Sequence, residues 1–408
     1  MNPFHESHYT AVSALTQNRF WPYPAPTMRI IDRYLLRQFV QVFCICFVSL
    51  DGLYIVIDAF SNLDEFLHYT EKDGNLFATM AEFYSYRSIF MFERMSSMLT
   101  MITGMFTVTW IQRHNELTAL TAAGVSRTRV IMPIVAAAVA ISLFTSLGRE
   151  LIIPRLAKQL ARDPKNLRGE AGEELKPRFD NETGILMQGV YTFANGQRIQ
   201  QPSFVLPETL DQYGKQLAAE NAYYRPPEDD RPGGYLFKKV LRPAQLIGKP
   251  SLKLDGRPVV MTPRDAAWLQ TDECFVVSNV NFDQLTGGRS WRQFSSTAQL
   301  IAGLSNPSLG LAGEYGADVR VAIHSRVVQP LLDLTLLFLG LPLVLSGTNR
   351  NVFVAIGLCG LVCTAFMMVV LGCQYLGEIS LLEPALAAWA PLMVFVPVAV
   401  GLFDRIEY

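Results

Sequence analysis

The sequence predicts a membrane α-helical bundle of six transmembrane helices with an inserted extracytoplasmic all-β, jelly-roll-like domain. Three observations predict it. Half of the 408 residues are hydrophobic and only 17% are charged, at a mean hydropathy of +0.21, which is more apolar than an ordinary soluble chain. The apolar residues gather into nearly uncharged runs, each of about 18 residues or more, toward both ends of the chain. The long middle instead alternates over short runs broken by turn residues. A single soluble domain and a disordered chain are both excluded. The net charge of −1 comes with scattered Lys and Arg and no basic stripe, so nucleic acid is not an expected partner.

Residues 1–27, ending in a Pro-rich stretch, lack the apolar core of a signal peptide and are expected to be a disordered cytoplasmic tail. Met28, just before an amphipathic lead-in, is an alternative start. Residues 28–153 hold three spans, Phe39–Ile57, Ile89–Ile111 and Val130–Leu147, with a short cytoplasmic helix at about 115–124. Residues 154–325 form the exported β-domain, and residues 326–408 hold the spans Val327–Ser346, Val352–Cys373 and Pro384–Phe403. Asp51, Glu93 with Arg94, and Asp333 interrupt three of the spans. Each charge costs about 2.5 to 3.5 kcal/mol at mid-membrane unless it faces protein or water, so these spans should border a bundle interior or a cavity.

Orientation follows from the basic residues. Arg19, Arg29, Arg33, Arg37, Arg113, Arg127, Arg129, Arg350 and Arg405 flank the spans on one side, whereas the opposite short loops, 60–88 and 374–383, hold only Lys72 and Arg87. The positive-inside rule places both termini in the cytoplasm and the middle segment outside. In that segment 184–193, 203–206, 234–241 and 274–282 are strand-like, with breaks at Asn195-Gly196, 229–234 and Gly287-Gly288. Its sheet edges suit docking of another β-protein by strand addition.

Five of the six cysteines lie in apolar runs and only Cys274 in the polar middle, which gives neither a disulfide framework nor a metal site. No GxxxxGK[ST], HExxH or GxSxG motif occurs and the five histidines are scattered, so no catalytic residue, metal or directly bound cofactor is expected.

The informative segment is the loop 112–127. Asn115 can cap a helix of about two turns, Glu116 sits favourably in its first turn, and Gly124 can close it in the left-handed conformation. Leu117, Leu120 and Gly124 recur at helical spacing beside Ala119, Ala122 and Ala123, and Ser126 caps the next run. Such a helix fits docking of a separate ATPase better than the bilayer surface, because Ala and Thr bury little area in lipid but permit close backbone approach.

The run Glu116-Leu117-Thr118-Ala119-Leu120-Thr121-Ala122-Ala123-Gly124-Val125-Ser126 resembles the E-x-x-x-[ML]-x-A-x-G-[VLF]-[ST] signature of the YjgP/YjgQ permease family, which supplies the LptF and LptG transmembrane subunits of the lipopolysaccharide exporter. The order of parts is similar too: an Asp32-Arg33-Tyr34-Leu35 start, three spans, a β-jelly-roll and three more spans. Residues 215–224 followed by 234–237 resemble two of the family's strands. The resemblance implies an ABC-transporter permease of the inner membrane that takes lipopolysaccharide or a related lipid and passes it to a periplasmic β-jelly-roll bridge protein. It further implies a second permease subunit and a cytoplasmic LptB-like ATPase that uses the ATP, with Glu116, Leu117, Leu120, Ala123 and Gly124 as the coupling residues.

For the lipid, Met91, Met95, Met98, Met101 and Met105 form one stripe on the second span, either an acyl-chain surface or a packing face. Arg87 and Arg94 share one face near its outer end, either holding head-group phosphates or snorkelling. One departure from the family pattern is that the first span's outer end, residues 53–58, is apolar and acidic rather than basic. The alternatives are another ABC permease, for lipoprotein release or amphiphile export, a membrane-embedded lipid-modifying enzyme using Asp51, Glu93 or Asp333, and an envelope scaffold.

Overall fold

The computed structural model describes residues 30–407 apart from 74, 167–171, 229–230, 244–247, 287, 312–315 and 346–351. The expected tail, Met28 and the turn position Gly287 lie outside the described residues. In chain order the first helices are α1 (Ile30–Ser61), α2 (Leu63–Asp73), α3 (Leu76–Arg113), α4 (Glu116–Ala122), α5 (Arg127–Leu151) and α6 (Ala157–Leu160). After the sheet come α7 (Phe282–Thr286), α8 (Gly288–Phe294), α9 (Thr297–Leu304), α10 (Ala317–Leu345), α11 (Val352–Glu378) and α12 (Pro384–Glu407).

Among the described residues, five helices are long and apolar enough to cross a membrane: α1, α5, α10, the Gly360–Glu378 part of α11 and the Pro384–Asp404 part of α12. The remaining expected span is the membrane part of α3, whose apolar character is diluted by hydroxyls. Ser96, Ser97, Thr100, Thr103, Thr107 and Thr109 are all buried. Thr100, Thr107 and Thr109 donate to the carbonyls of Ser96, Thr103 and Met105, four residues back, at 2.7, 2.8 and 2.8 Å. The polarity of these three is thus satisfied inside the helix itself, whereas the Thr103 hydroxyl is buried without a partner, and α3 sits at the centre of the bundle against α1, α5, α10 and α11.

Two boundaries differ from the sequence expectation. The segment 60–88, expected as a loop, is helical, formed by α2 and the first turns of α3, which Asn75 starts by accepting the Phe77 amide. At about 1.5 Å per residue α3 is nearly twice as long as the hydrocarbon is thick, so its first half extends beyond the bilayer toward the β-domain. There Phe90 stacks edge-on against Phe294 of α8. The other difference is α10, which begins at Ala317, before the span expected from Val327. Its early residue Val319 packs in the β-domain core and its later residues Val328, Leu332 and Leu336 in the bundle core.

Helices α3 and α10 cross closely at two glycines. A Cβ on Gly104 would lie 2.8 Å from Leu337 Cδ1, and one on Gly340 would lie 2.9 Å from Met105 Sδ. Without side chains at these points the backbones can approach, as is common where membrane helices cross.

The β-domain is one antiparallel sheet that forks. Its strands are β1 (Glu173–Glu174), β2 (Arg178–Asp180), β3 (Ile185–Met187), β4 (Tyr191–Phe193), β5 (Arg198–Gln200), β6 (Ser203–Val205), β7 (Gln216–Arg225), β8 (Gly234–Arg242), β9 (Leu252–Leu254), β10 (Arg257–Met261) and β11 (Glu273–Val277). One path runs β1-β4-β5-β7-β8-β11-β10-β9, and β2-β3-β6 joins it at β7. The first half of β7 pairs with β6 (Ala218 opposite Ser203) and its second half with β5 (Tyr223 opposite Arg198), while β8 covers its other edge. The two arms close on a core that includes Ile185, Ile199, Phe204, Tyr235 and Phe237. Cys274 lies in it too, and burial pushes its thiol well above the ordinary value. The strand pair expected from residues 215–224 and 234–237 is β7 and β8. The segment is not entirely strand, because α7, α8 and α9 lead the chain from β11 back to the bundle.

Candidate functional site

Two regions carry the chemistry, one at each end of the bundle. At the end away from the β-domain lies α4. Its carboxyl end is built as the sequence expects: Gly124 has φ 82°, the Val125 amide reaches back to the Leu120 carbonyl at 3.0 Å, and Ser126 accepts the Arg129 amide. Its amino end is not. Asn115 stands in the left-handed conformation, φ 61°, and its side chain makes no capping bond to α4. The reversal directly after α3 uses Asn115 for its backbone, one of the few residue types that tolerate this conformation.

The expected coupling residues divide between two faces. Leu117 is buried and Leu120 half-buried, both packed into the bundle core. Thr118, Ala119, Thr121, Ala122, Ala123 and Gly124 are exposed, with Glu116 half-buried at the edge. The leucines therefore anchor the helix, and a flat surface of small residues is left facing outward. The Tyr34 hydroxyl meets the Glu116 carboxylate, at 3.1 Å from Oε2 and 3.3 Å from Oε1. Arg129 pairs with Asp32 at 2.7 Å.

At the other end, two cavities share a wall. A polar cavity of about 610 Å³ is bordered by α3, α5, α10 and α11, with Glu93, Arg94, Arg149, Glu150, Arg326 and Asp333 on its polar side and Phe366 and Val370 on its apolar side. An apolar pocket of about 320 Å³ is walled by Phe47, Phe92, Phe144, Ile89, Ile152 and Ile153. Glu93 and Thr145 border both. Glu93 pairs with Arg149 at 3.2 Å, while its second oxygen, Oε2, is buried without a hydrogen-bond partner.

Asp333, 7% exposed, accepts from Ser142 Oγ and Gln329 Nε2, each at 2.8 Å. Glu150 accepts from the Thr297 backbone N–H at 2.8 Å and from its hydroxyl at 2.5 Å, so a carboxylate from α5 caps α9. The buried Arg326 donates to the Ser295 carbonyl at 2.7 Å and the Arg292 carbonyl at 3.0 Å. Arg292 in turn pairs with Asp318 of α10.

Arg87 and Arg94 do not converge. Arg94 borders the polar cavity, whereas Arg87 reaches Tyr54 Oη at 3.2 Å and the Leu160 carbonyl at 3.4 Å. The cations that join Arg94 are Arg149 and Arg326, which sequence reasoning missed. Their signal was a charge directly flanking an apolar span on the β-domain side. The methionine stripe borders neither cavity. Met101 and Met105 are buried against Gly340, Met91 and Met95 are half-buried, and Met98 is exposed. The acidic carboxyl-terminal end of the first span is answered by α3: Ser88 donates to Asp51 at 2.7 Å and Tyr84 to Asp58 at 2.9 Å.

Residues 33–198 and 296–405 match the family model described as lipopolysaccharide export system permease LptF/LptG. No curated protein matches the chain.

Proposed function

The chain belongs to the lipopolysaccharide export system permease LptF/LptG family, and on that premise we propose that it draws lipopolysaccharide or a related lipid from the inner membrane under the drive of a separate cytoplasmic ABC ATPase. It works beside a second permease subunit, keeps both termini in the cytoplasm, and passes the lipid through its periplasmic β-domain to a β-bridge protein.

One observation carries this reading: the outward face of α4, made of small residues with the Glu116 carboxylate at its rim. Small side chains let a partner's backbone come close, and a carboxylate offers a cationic group of that partner a charge-assisted hydrogen bond. Because α4 joins α3 to α5 without slack, a push on it is delivered to both spans, and these two helices also line both outer cavities. An apolar pocket beside a cavity whose three arginines are matched by Glu93, Glu150 and Asp333 suits an amphiphile with acyl chains and a polar head group. Strand edges at β1 and β9, the ends of the main path, are where a bridge protein can add its own strand.

The test is co-purification of the detergent-solubilised chain with ABC ATPases of its host, comparing wild type with Glu116→Ala and Ala122→Asp. The wild type should retain an ATPase and both variants should lose at least about tenfold of it, the loss of one good charged contact. An ATPase held equally by all three, or by none, would sink the docking assignment.

A further inference from the structure

The Asp32-Arg33-Tyr34-Leu35 run at the start of α1 is given a job by its contacts. Tyr34 Oη lies 3.1 and 3.3 Å from the two oxygens of Glu116, at the amino end of α4. Asp32 lies 2.7 Å from Arg129, on the first turn of α5, the helix that follows α4. Leu35, 1% exposed, belongs to the same hydrophobic core as Leu117. One turn of α1 therefore holds the short helix at its amino end and pairs with the start of the helix that follows it.

We propose that Tyr34 is a positioning residue for Glu116, and that this turn of α1 clamps the docking helix so that the first span moves with it. This rests on the reading of α4 as the ATPase-docking helix. A seven-residue helix is too short to be stable alone, and a carboxylate on its first turn samples several rotamers. A phenol donates a single hydrogen, so the bond fixes the direction of the carboxylate and leaves most of its lone-pair sites open to a cation on the partner. Tyr34 raises affinity by ordering Glu116 before the partner arrives, without touching the partner itself. The Asp32–Arg129 pair is partly exposed and adds little stability, yet it sets where α5 begins relative to α1.

The experiment uses the full-length chain in detergent, first alone and then with the ABC ATPase retained by the wild type. Alone, hydrogen exchange of residues 117–123 should speed up about three- to tenfold in Tyr34→Phe, the usual effect of one lost hydrogen bond, with α3 and α5 unchanged. With the ATPase, Tyr34→Phe should weaken association about three- to tenfold, and Tyr34→Phe/Glu116→Gln should be no weaker than Glu116→Gln alone. Unchanged exchange in Tyr34→Phe, or losses that simply add in the double variant, would overturn the clamp. If Glu116→Gln binds the ATPase as tightly as wild type, the docking assignment falls instead, and the exchange result still decides whether the clamp exists.

Discussion

At the residue scale, Asp333 shows how a carboxylate survives inside the bundle. It accepts hydrogen bonds from Ser142 of α5, Ser97 of α3 and Gln329 of its own helix, so three spans meet on it. Ser142→Ala removes one of the three donors to this buried carboxyl. It should lower the stability of the solubilised protein by about 1 to 3 kcal/mol, read as a fall in Tm, whereas Ser146→Ala, on the same helix, should change little. Some of this chemistry was legible in the residues alone. Gly124 and Ser126 act locally, and their roles follow from their neighbours in sequence. Arg149 and Arg326 were not legible, because their meeting depends on how α5, α9 and α10 pack. Asn115 shows the reverse case: its side chain is a good cap in principle, but the turn that delivers it uses its backbone first.

At the scale of elements, the spans were legible because lipid demands long apolar runs, and β8 because the run 234–241 is long enough to read as a strand, whereas β7 was expected only from the family resemblance. Of the three-residue strands, β3, β4 and β6 lie within the strand-like runs 184–193 and 203–206, whereas β2 and β5 are too short for that signal. The outer half of α3 was hidden for a different reason: charged residues such as Glu82 and Arg87 look like a loop when a helix leaves the bilayer yet continues. The crossing of α3 and α10 supports a quantitative expectation. Gly104→Val and Gly340→Val should each destabilise the bundle by about 1 to 3 kcal/mol through overpacking, with Gly340→Val the milder because flexible methionines meet it. Together they should fall short of the sum, since both open the same crossing. Comparing thermal unfolding of the two single variants and the double variant checks both points.

At the scale of the molecule, the β-domain is joined to the bundle by a stapled junction. Glu150 caps α9, and Arg326 holds the carbonyls of Arg292 and Ser295. Arg326→Gln should release the α8–α9 segment, each charged hydrogen bond being worth about 1.5 to 3 kcal/mol. Limited proteolysis should then cut between residues 288 and 297 several times faster than in wild type, with the sheet core still protected. Equal cutting rates would mean that the remaining contacts, Phe90 on Phe294, Glu150 on Thr297 and Arg292 on Asp318, hold the junction without Arg326.

Helix α10 belongs to both cores, and this makes it a lever. Its 29 residues span about 43 Å at 1.5 Å per residue. If its far end were held, a tilt of about 10° would sweep the β-domain end through roughly 7 Å, more than the 4.8 Å between neighbouring strands. A modest lean inside the membrane is thus large enough to shift an edge strand by a whole strand's width. Pro330 and Pro342, both inside the helix, mark where such a lever could flex and give some of that stroke back.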